Sequence, residues 1–273
     1  MTQALTIFRP AVPLPGKDYE LNLPKGYLSF SQIDTYLRCP QQYYRTYVLD
    51  GPRINSAEAF EGTCLGKTLE EMGCRKLGAS RSKTMTATQA IEWHKVYLNS
   101  HVDEVDQWNG HEPADLLKRG DAFLKRFWKQ EEPLITKERL VDVEHEFSIT
   151  LAGVEIRGVV DLLERNYCWD YKVRSKNSMR YLNVDRSLQL SLYAVATGRE
   201  KVGYIVFVKD DGSIIHKQSV RDLKRTKSWL EFMVSQVAQG ISKGAFMPCN
   251  PADNYLCSSQ WCAHWDSCYG QEC

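Results

Sequence analysis

An α/β fold, a core sheet flanked by helices with a cysteine-rich C-terminal tail, is what this sequence predicts, and three observations carry it. Between Ser56 and Pro133 the apolar residues recur at helical spacing. From Val141 the period drops to two: Val141, Val143, His145 and Phe147 alternate with Asp142, Glu144 and Glu146. Beyond that point strand-like and helical stretches follow one another up to a tail in which Cys257, Cys262, Cys268 and Cys273 crowd the last seventeen residues.

The 273 residues suffice for one large domain or two small ones, and 43% hydrophobic with 25% charged residues can bury a core of normal size. No stretch reaches the roughly 20 apolar residues of a membrane span. Pro10, Pro13 and Pro15 interrupt any leader-like reading of the N-terminus, so a cytoplasmic location and no membrane partner are expected. With 35 basic and 34 acidic residues the net charge is +1, and any nucleic-acid path must come from local placement of charge. Nine unevenly spread cysteines in such a chain argue for a metal or a cluster rather than disulfides.

Residues 1–26 read as an extended, proline-rich arm. Ser29 followed by Gln32 offers a capping box for a helix carrying Ile33, Tyr36 and Leu37, which Cys39-Pro40 ends or bends. A polar break from Gly78 to Thr88 divides the helical region that runs to about residue 135. The sheet core spans about 140–220. Its strands begin at Val141, run over Val154–Leu163 and Tyr167–Val173, and return over Gly203–Lys209 and Ser213–Val220. Ala152-Gly153 can turn the chain between the first two. Asp185 to Thr197 reads as a helix with Asp185 at its N-cap and Gly198 at its stop, and a last helix covers about 221–240. Residues 27–245 form one domain in this reading, and the tail, 246–273, packs on the N-terminal helix.

Within the core, Asp161 ends an apolar run on the second strand, while Asp170 and Lys172 share a face of the third by alternation. Hard divalent cations take oxygen ligands, often one or two carboxylates plus waters. A bound cation polarises a phosphate and acidifies a water, and a nearby lysine can neutralise developing charge. A D-x-K triplet alone is equally well a solvated pair at a strand end. Its company distinguishes this one: a strand-borne Asp nine residues earlier, and a following helix on which Gln189 and Tyr193, four apart, share a face.

The run Gly158–Asp161, then Asp170-Tyr171-Lys172, then Gln189 to Tyr193, resembles the RecB-like branch of the PD-(D/E)XK nucleases, with its G-x-x-D strand, D-Y-K strand and Q-x-x-x-Y helix. Ser29 to Tyr47 resembles the opening helix of that family, and Gly62 to Glu70 its G-T-x-x-H-x-x-L-E helix. The resemblance implies a restriction-endonuclease-like core sheet. It implies Asp161, Asp170 and the Tyr171 carbonyl as ligands of Mg²⁺ or Mn²⁺, Lys172 as the catalytic lysine, and Gln189 and Tyr193 as residues orienting that lysine or the DNA backbone. One departure is Gly66, where many relatives have a metal-binding histidine. Glu70, one turn on, either supplies an oxygen ligand instead or is a surface carboxylate beside Glu71.

One branch of the family, of phage or CRISPR-adaptation type, ties its tail to the N-terminal helix through a [4Fe–4S] cluster. By that resemblance its ligands here are Cys39, Cys257, Cys262 and Cys268. Structural Zn²⁺, bound by four cysteines or by three with His264, is the alternative. Cys249 and Cys273 are left spare. Arg174, Lys176 and Arg180 follow the catalytic strand and are expected on phosphates, whereas Lys118, Arg119, Lys125 and Arg126 read as a solvated helix face.

The resemblance implies a metal-dependent DNA exonuclease acting without sequence specificity at single- or double-stranded ends, in recombination, repair or phage replication. Its location is then the cytoplasm, the host's if the chain is phage-encoded. Partners besides DNA would be a recombination protein or further copies of the chain. A non-catalytic DNA-end-binding or scaffold module is the competing reading, and a sequence-specific endonuclease would need a recognition domain that the sequence does not display.

Overall fold

A computed structural model describes residues 22–78 and 84–268. Most of the N-terminal arm and Cys273 lie outside them. Ser29 caps α1 (Phe30–Arg38), its hydroxyl accepting from the Gln32 N–H at 3.3 Å. Cys39 closes α1 and opens α2 (Pro40–Tyr43). Its N–H donates to the Thr35 carbonyl, and its sulfur accepts from the Gln42 N–H at 3.4 Å. A π-helical turn, Tyr44–Val48, follows.

The helical region resolves into α3 (Ala57–Leu77), α4 (Ala87–His101) and α5 (Pro113–Gln130). Ser56 caps α3, and Thr86 forms a reciprocal capping box with Gln89 at the start of α4. Buried Glu61 on α3 binds Arg119 on α5 at 2.5 Å and Lys209 at 2.9 Å. Arg119 therefore belongs to an internal ion network, not to the solvated face expected of it. Lys125 pairs with Asp121 on the surface at 2.7 Å, as a solvated face does.

Five strands make one sheet in the order β1 (Leu140–Leu151), β2 (Val154–Glu164), β3 (Tyr167–Arg174), β4 (Lys201–Val208) and β5 (Ile214–Val220). Neighbours are antiparallel except β3 and β4. A parallel pair needs a crossover, and α6 (Leu188–Thr197) lies on it. Its N-cap is Ser187, whose hydroxyl accepts from the Leu190 N–H. Asp185, expected there, instead accepts from the Ser219 hydroxyl at 2.8 Å. Ala152 and Gly153 turn the β1–β2 hairpin with φ of 49° and 80°, the signature of a two-residue turn with both centres left-handed. The last long helix is α7 (Leu223–Ser242). Among the described residues no helix is long and apolar enough to cross a membrane.

The sheet buries both faces. Leu65, Leu69 and Met72 of α3 and Phe123 and Phe127 of α5 pack on Val143, Leu162, Val173 and Phe207. On the other face Leu190 and Tyr193 of α6 meet Val160, Leu163, Cys168 and Val206, while α1 and α7 cover the far end of the hairpin around Leu151, Val154 and Ile156. The α3–β1 contact is close: a Cβ on Gly73 would stand 2.3 Å from Val143 Cγ1. Gly73→Ala is expected to cost about 1–3 kcal/mol by overpacking, measurable as a lower denaturation midpoint.

The tail crosses back to the start of the domain. The Gln41 N–H donates to the Met247 carbonyl at 3.1 Å, and the Tyr36 hydroxyl to the Ala245 carbonyl at 2.9 Å. Arg45 clamps Ser267 through its hydroxyl at 2.8 Å and its carbonyl at 2.7 Å.

Candidate active site

β2 and β3 pair only at Leu162–Trp169 and Leu163–Cys168, then part. The first residues beyond the paired stretch on each strand are Asp161 and Asp170. Asp161 fills the gap: its Oδ2 accepts from the Tyr171 N–H at 2.8 Å, satisfying a backbone donor that no ladder bond reaches.

Asp170 is 1% exposed, so its partners decide its state. Its Oδ1 accepts from Gln189 Nε2 at 2.6 Å and from the Tyr193 hydroxyl at 3.2 Å, and Gln189 also donates to that hydroxyl at 2.9 Å. Burial, then the charge of Asp170, pushes the Tyr193 phenol well up, so it stays a donor. Gln189 and Tyr193, one helical turn apart on α6, thus hold the carboxylate and not the lysine. The other oxygen of Asp170 is paired with the Lys172 ammonium at 2.5 Å and has no further partner.

Burial, and then the charge of Asp170, holds the Asp161 carboxyl well above the usual carboxylate range. For Lys172, burial pulls its pKa down, but Asp170 and Asp161 outweigh it and the net movement is up. The site therefore holds an ammonium beside two carboxylates that repel each other. The ammonium also lies 5.6 Å over the centre of the Tyr204 ring.

A further acid borders this pair. On β1, Val143 stands opposite Leu162 and His145 opposite Val160, which sets Glu144 across from Asp161. Glu144 has φ of +46°, a left-handed conformation that is costly for a residue with a Cβ. Both strands change layers here: Val143 and Leu162 belong to the core under α3, Phe147 and Val160 to the core under α6. Burial, then Glu70, pushes the Glu144 carboxyl up, with Asp170 adding to the effect. Sequence alternation set Glu144 only in a polar row with Asp142 and Glu146, and nothing local in the sequence marks the kink. Glu70 itself is held by Lys67 at 2.5 Å. Gly66 leaves open space, with nothing within 4 Å of where its Cβ would be.

Arg174 is the last residue of β3, and Lys176 and Arg180 follow it in the chain. Lys176 is tied to Asp211 at 2.9 Å, and Arg180 lies over Tyr181 at 4.7 Å.

At the other end of the domain, Cys39, Cys257, Cys262 and Cys268 line one cavity of about 210 Å³, with Cys249 and His264. Cys249, left spare by the sequence reading, lines the same cavity, and its sulfur accepts from Asn254 Nδ2 at 3.4 Å. The crowding of five cysteines between 249 and 273 was its signal in the sequence. All the described cysteines are free thiols. Burial pushes Cys39, Cys249, Cys257 and Cys262 above the ordinary thiol value. His264 turns Nε2 to the Thr46 hydroxyl at 2.9 Å.

The donors suit the groups expected. Asp170 Oδ2, held only by Lys172, and the neighbouring Asp161 make a hard oxygen pair, and the cavity offers soft sulfur from Cys39 and from the tail. Among the described residues, no group of three or more His, Cys, Asp or Glu side chains is arranged to hold a metal ion.

The sequence profile of the PD-(D/E)XK nuclease superfamily matches residues 27–269. No curated protein sequence matches the chain. Among solved structures, the chain is similar to a protein of Eubacterium rectale named only provisionally as an exonuclease, with a TM-score of 0.56, 12% identity, and 89% of this chain and 88% of that one covered. It also aligns with the protein SSO0001 at 17% identity, over 76% of this chain and 94% of that one, with a TM-score of 0.35. The first likeness concerns the fold alone, and the second is too distant to add to it. The family match spans the parted strands, the Asp–Lys pair and the helix that holds it, and on that ground the chain belongs to the PD-(D/E)XK nuclease superfamily.

Proposed function

We propose that the chain is a divalent-metal-dependent deoxyribonuclease that degrades DNA from ends without sequence specificity. The observation that carries this reading is the state of Asp170: buried, fixed through one oxygen by Gln189 and Tyr193, and keeping the other, beside Asp161, for the Lys172 ammonium alone. Mg²⁺ or Mn²⁺ would be held by Asp161, Asp170 and the Tyr171 carbonyl; when bound, the ion polarises the phosphate and acidifies a water. The chain's own contribution is a lysine kept cationic at the point where negative charge builds up. Arg174, Lys176 and Arg180 are assigned to phosphates near the scissile bond, without base reading.

The test is cleavage of linear and covalently closed circular DNA, with and without Mg²⁺ or Mn²⁺. Loss of linear DNA alone, only with metal, is expected. Cutting of the circle overturns the end requirement, and binding of ends without cleavage under any condition makes the chain a non-catalytic end-binding module.

Glu144 and Glu70 separate in the same assay. Glu144 faces Asp161 across the kinked strands, while Glu70 is already neutralised by Lys67. Glu144→Gln is expected to raise the half-saturating Mn²⁺ concentration about tenfold, the scale of a lost supporting contact at a metal site, and Glu70→Gln to raise it less. Equal, mild effects would leave the ion on Asp161 and Asp170 alone.

The five-thiol cavity is assigned to a [4Fe–4S] cluster on Cys39, Cys257, Cys262 and Cys268, with Cys249 beside them in the lining and structural Zn²⁺ as the alternative occupant. The absorbance spectrum and the iron, sulfide and zinc content of the purified protein decide between them.

A further inference from the structure

The first structure after the catalytic strand is a single helical turn, Ser178–Tyr181. Its tip residue, Tyr181, is 75% exposed, and among the described residues its side chain makes no hydrogen bond. An exposed tyrosine is ordinary on a loose loop, but this mount is fixed. The Lys217 ammonium donates to the Met179 carbonyl at 2.9 Å and the Leu182 carbonyl at 3.2 Å, one on each side of Arg180 and Tyr181. Ser178 is tied to Ser175 by its N–H at 3.2 Å and its hydroxyl at 3.0 Å, and the Lys176 N–H donates to Asp210 at 2.8 Å.

The mount also faces the site. Met179 and Leu182 pack on the apolar cluster that contains Tyr193 and Tyr204. Tyr193 bonds to Asp170, and the Tyr204 ring carries the Lys172 ammonium. Tyr181 therefore stands on the α6 side of the sheet, the side to which Asp170 and Lys172 point. Its ring has Arg180 over it at 4.7 Å, a planar cation stacked on an aromatic face.

We infer that Arg180 and Tyr181 form a stacking platform for a nucleobase of an unpaired DNA strand end entering the site. Inside a duplex both faces of each base are covered by neighbours, so a protein ring can stack only on an unpaired or terminal base. Stacking tolerates any sequence because every base has a π-face. A fixed mount lowers the ordering cost of that contact. The guanidinium beside the ring adds a charge suited to the adjoining phosphate. The inference rests on the nuclease reading and adds to it the form of the substrate, a single-stranded end.

The experiment uses the full chain carrying Asp170→Asn, to bind without cutting, and DNA with 2-aminopurine at the tip of a single-stranded overhang. Binding is expected to quench the fluorescence. Adding Tyr181→Ala should relieve the quench and weaken binding to overhangs about 5- to 100-fold, the range of one lost base stack. Blunt duplex affinity should change less than twofold, Tyr181→Phe should behave as the parent, and the melting temperature should not move. Equal weakening on overhangs and blunt ends, or no weakening, overturns the platform. The two readings fail separately. A wild type that cuts while Tyr181→Ala cuts overhangs at the wild-type rate keeps the nuclease and loses the platform. A Tyr181-dependent quench in a protein that cuts nothing does the reverse.

Discussion

Asp161→Asn is expected to abolish cleavage and, in metal-free buffer, to make the protein more stable. Asp161 is held beside Asp170 in a partly buried gap between parted strands, and its charge is disfavoured there by burial and by its neighbour. Asparagine can keep the bond from the Tyr171 N–H, which needs only an oxygen acceptor, while removing the repulsion. Relief of about 1 kcal/mol would appear as a rise of roughly 2–4 °C in melting temperature for a domain of this size. Activity should fall at least ~10²-fold, as when a preorganised electrostatic partner of the transition state is removed. Mn²⁺ should also lose most of its stabilising effect on the variant, since ligand binding stabilises only in proportion to affinity. A variant that is less stable than wild type without metal would show that Asp161 is a structural acceptor and not a strained functional acid. Near-wild-type cleavage would remove the assigned site.

Cys39→Ser is expected to lower metal content and thermal stability together. Cys39 sits between α1 and α2, and the other thiols of its cavity come from the tail. A centre joining them closes a loop of most of the chain, and a link over such a span removes several kcal/mol of unfolded-state entropy in the chain-entropy view. A loss of about 2–3 kcal/mol, or roughly 5–10 °C, is the expected scale. Cys249→Ser should retain the metal, because four thiols remain, and Cys273→Ser should change neither quantity. Stoichiometric zinc without iron would change the occupant and keep the tie. Unchanged metal content in Cys39→Ser would remove the tie itself.

The readable parts of this molecule are those in which local pattern and final contact coincide. Asp170 and Lys172 are two residues apart on a strand, so alternation alone sets them on one face. Gln189 and Tyr193 are four apart on a helix, so periodicity alone aims both at one target, although which target is a matter of packing: they reach Asp170. Where two residues of equal local aptitude compete, sequence reasoning chooses blindly. Asp185 and Ser187 both make good N-caps, and the cross-chain bond from Ser219 to Asp185 decides for Ser187. Arg119 has the spacing of a solvated face but is drawn inward by the buried carboxylate of Glu61, which Lys209 also pairs. Glu144 was least readable of all. Its left-handed backbone arises because one hairpin is buried against two different helical layers, a condition visible only once both layers are in place. Cys249 looked surplus because four ligands were already assigned without it, but the fold sets it in the same cavity lining as those four.

The crossing of the tail to the start of the domain has a consequence for synthesis. Thr46 and its partner His264 are 218 residues apart, and the thiols around them are separated by a similar span. At roughly 5–20 residues per second, Cys39 leaves the ribosome about 10–45 s before the tail cysteines can reach it. Through that interval the sheet and its carboxylates can assemble while Cys39 has no sulfur partner from the tail. If the cavity takes a metal, its filling is then a late, post-assembly event, and metal that arrives only during the early part of translation finds one thiol of the cavity, Cys39, to meet it.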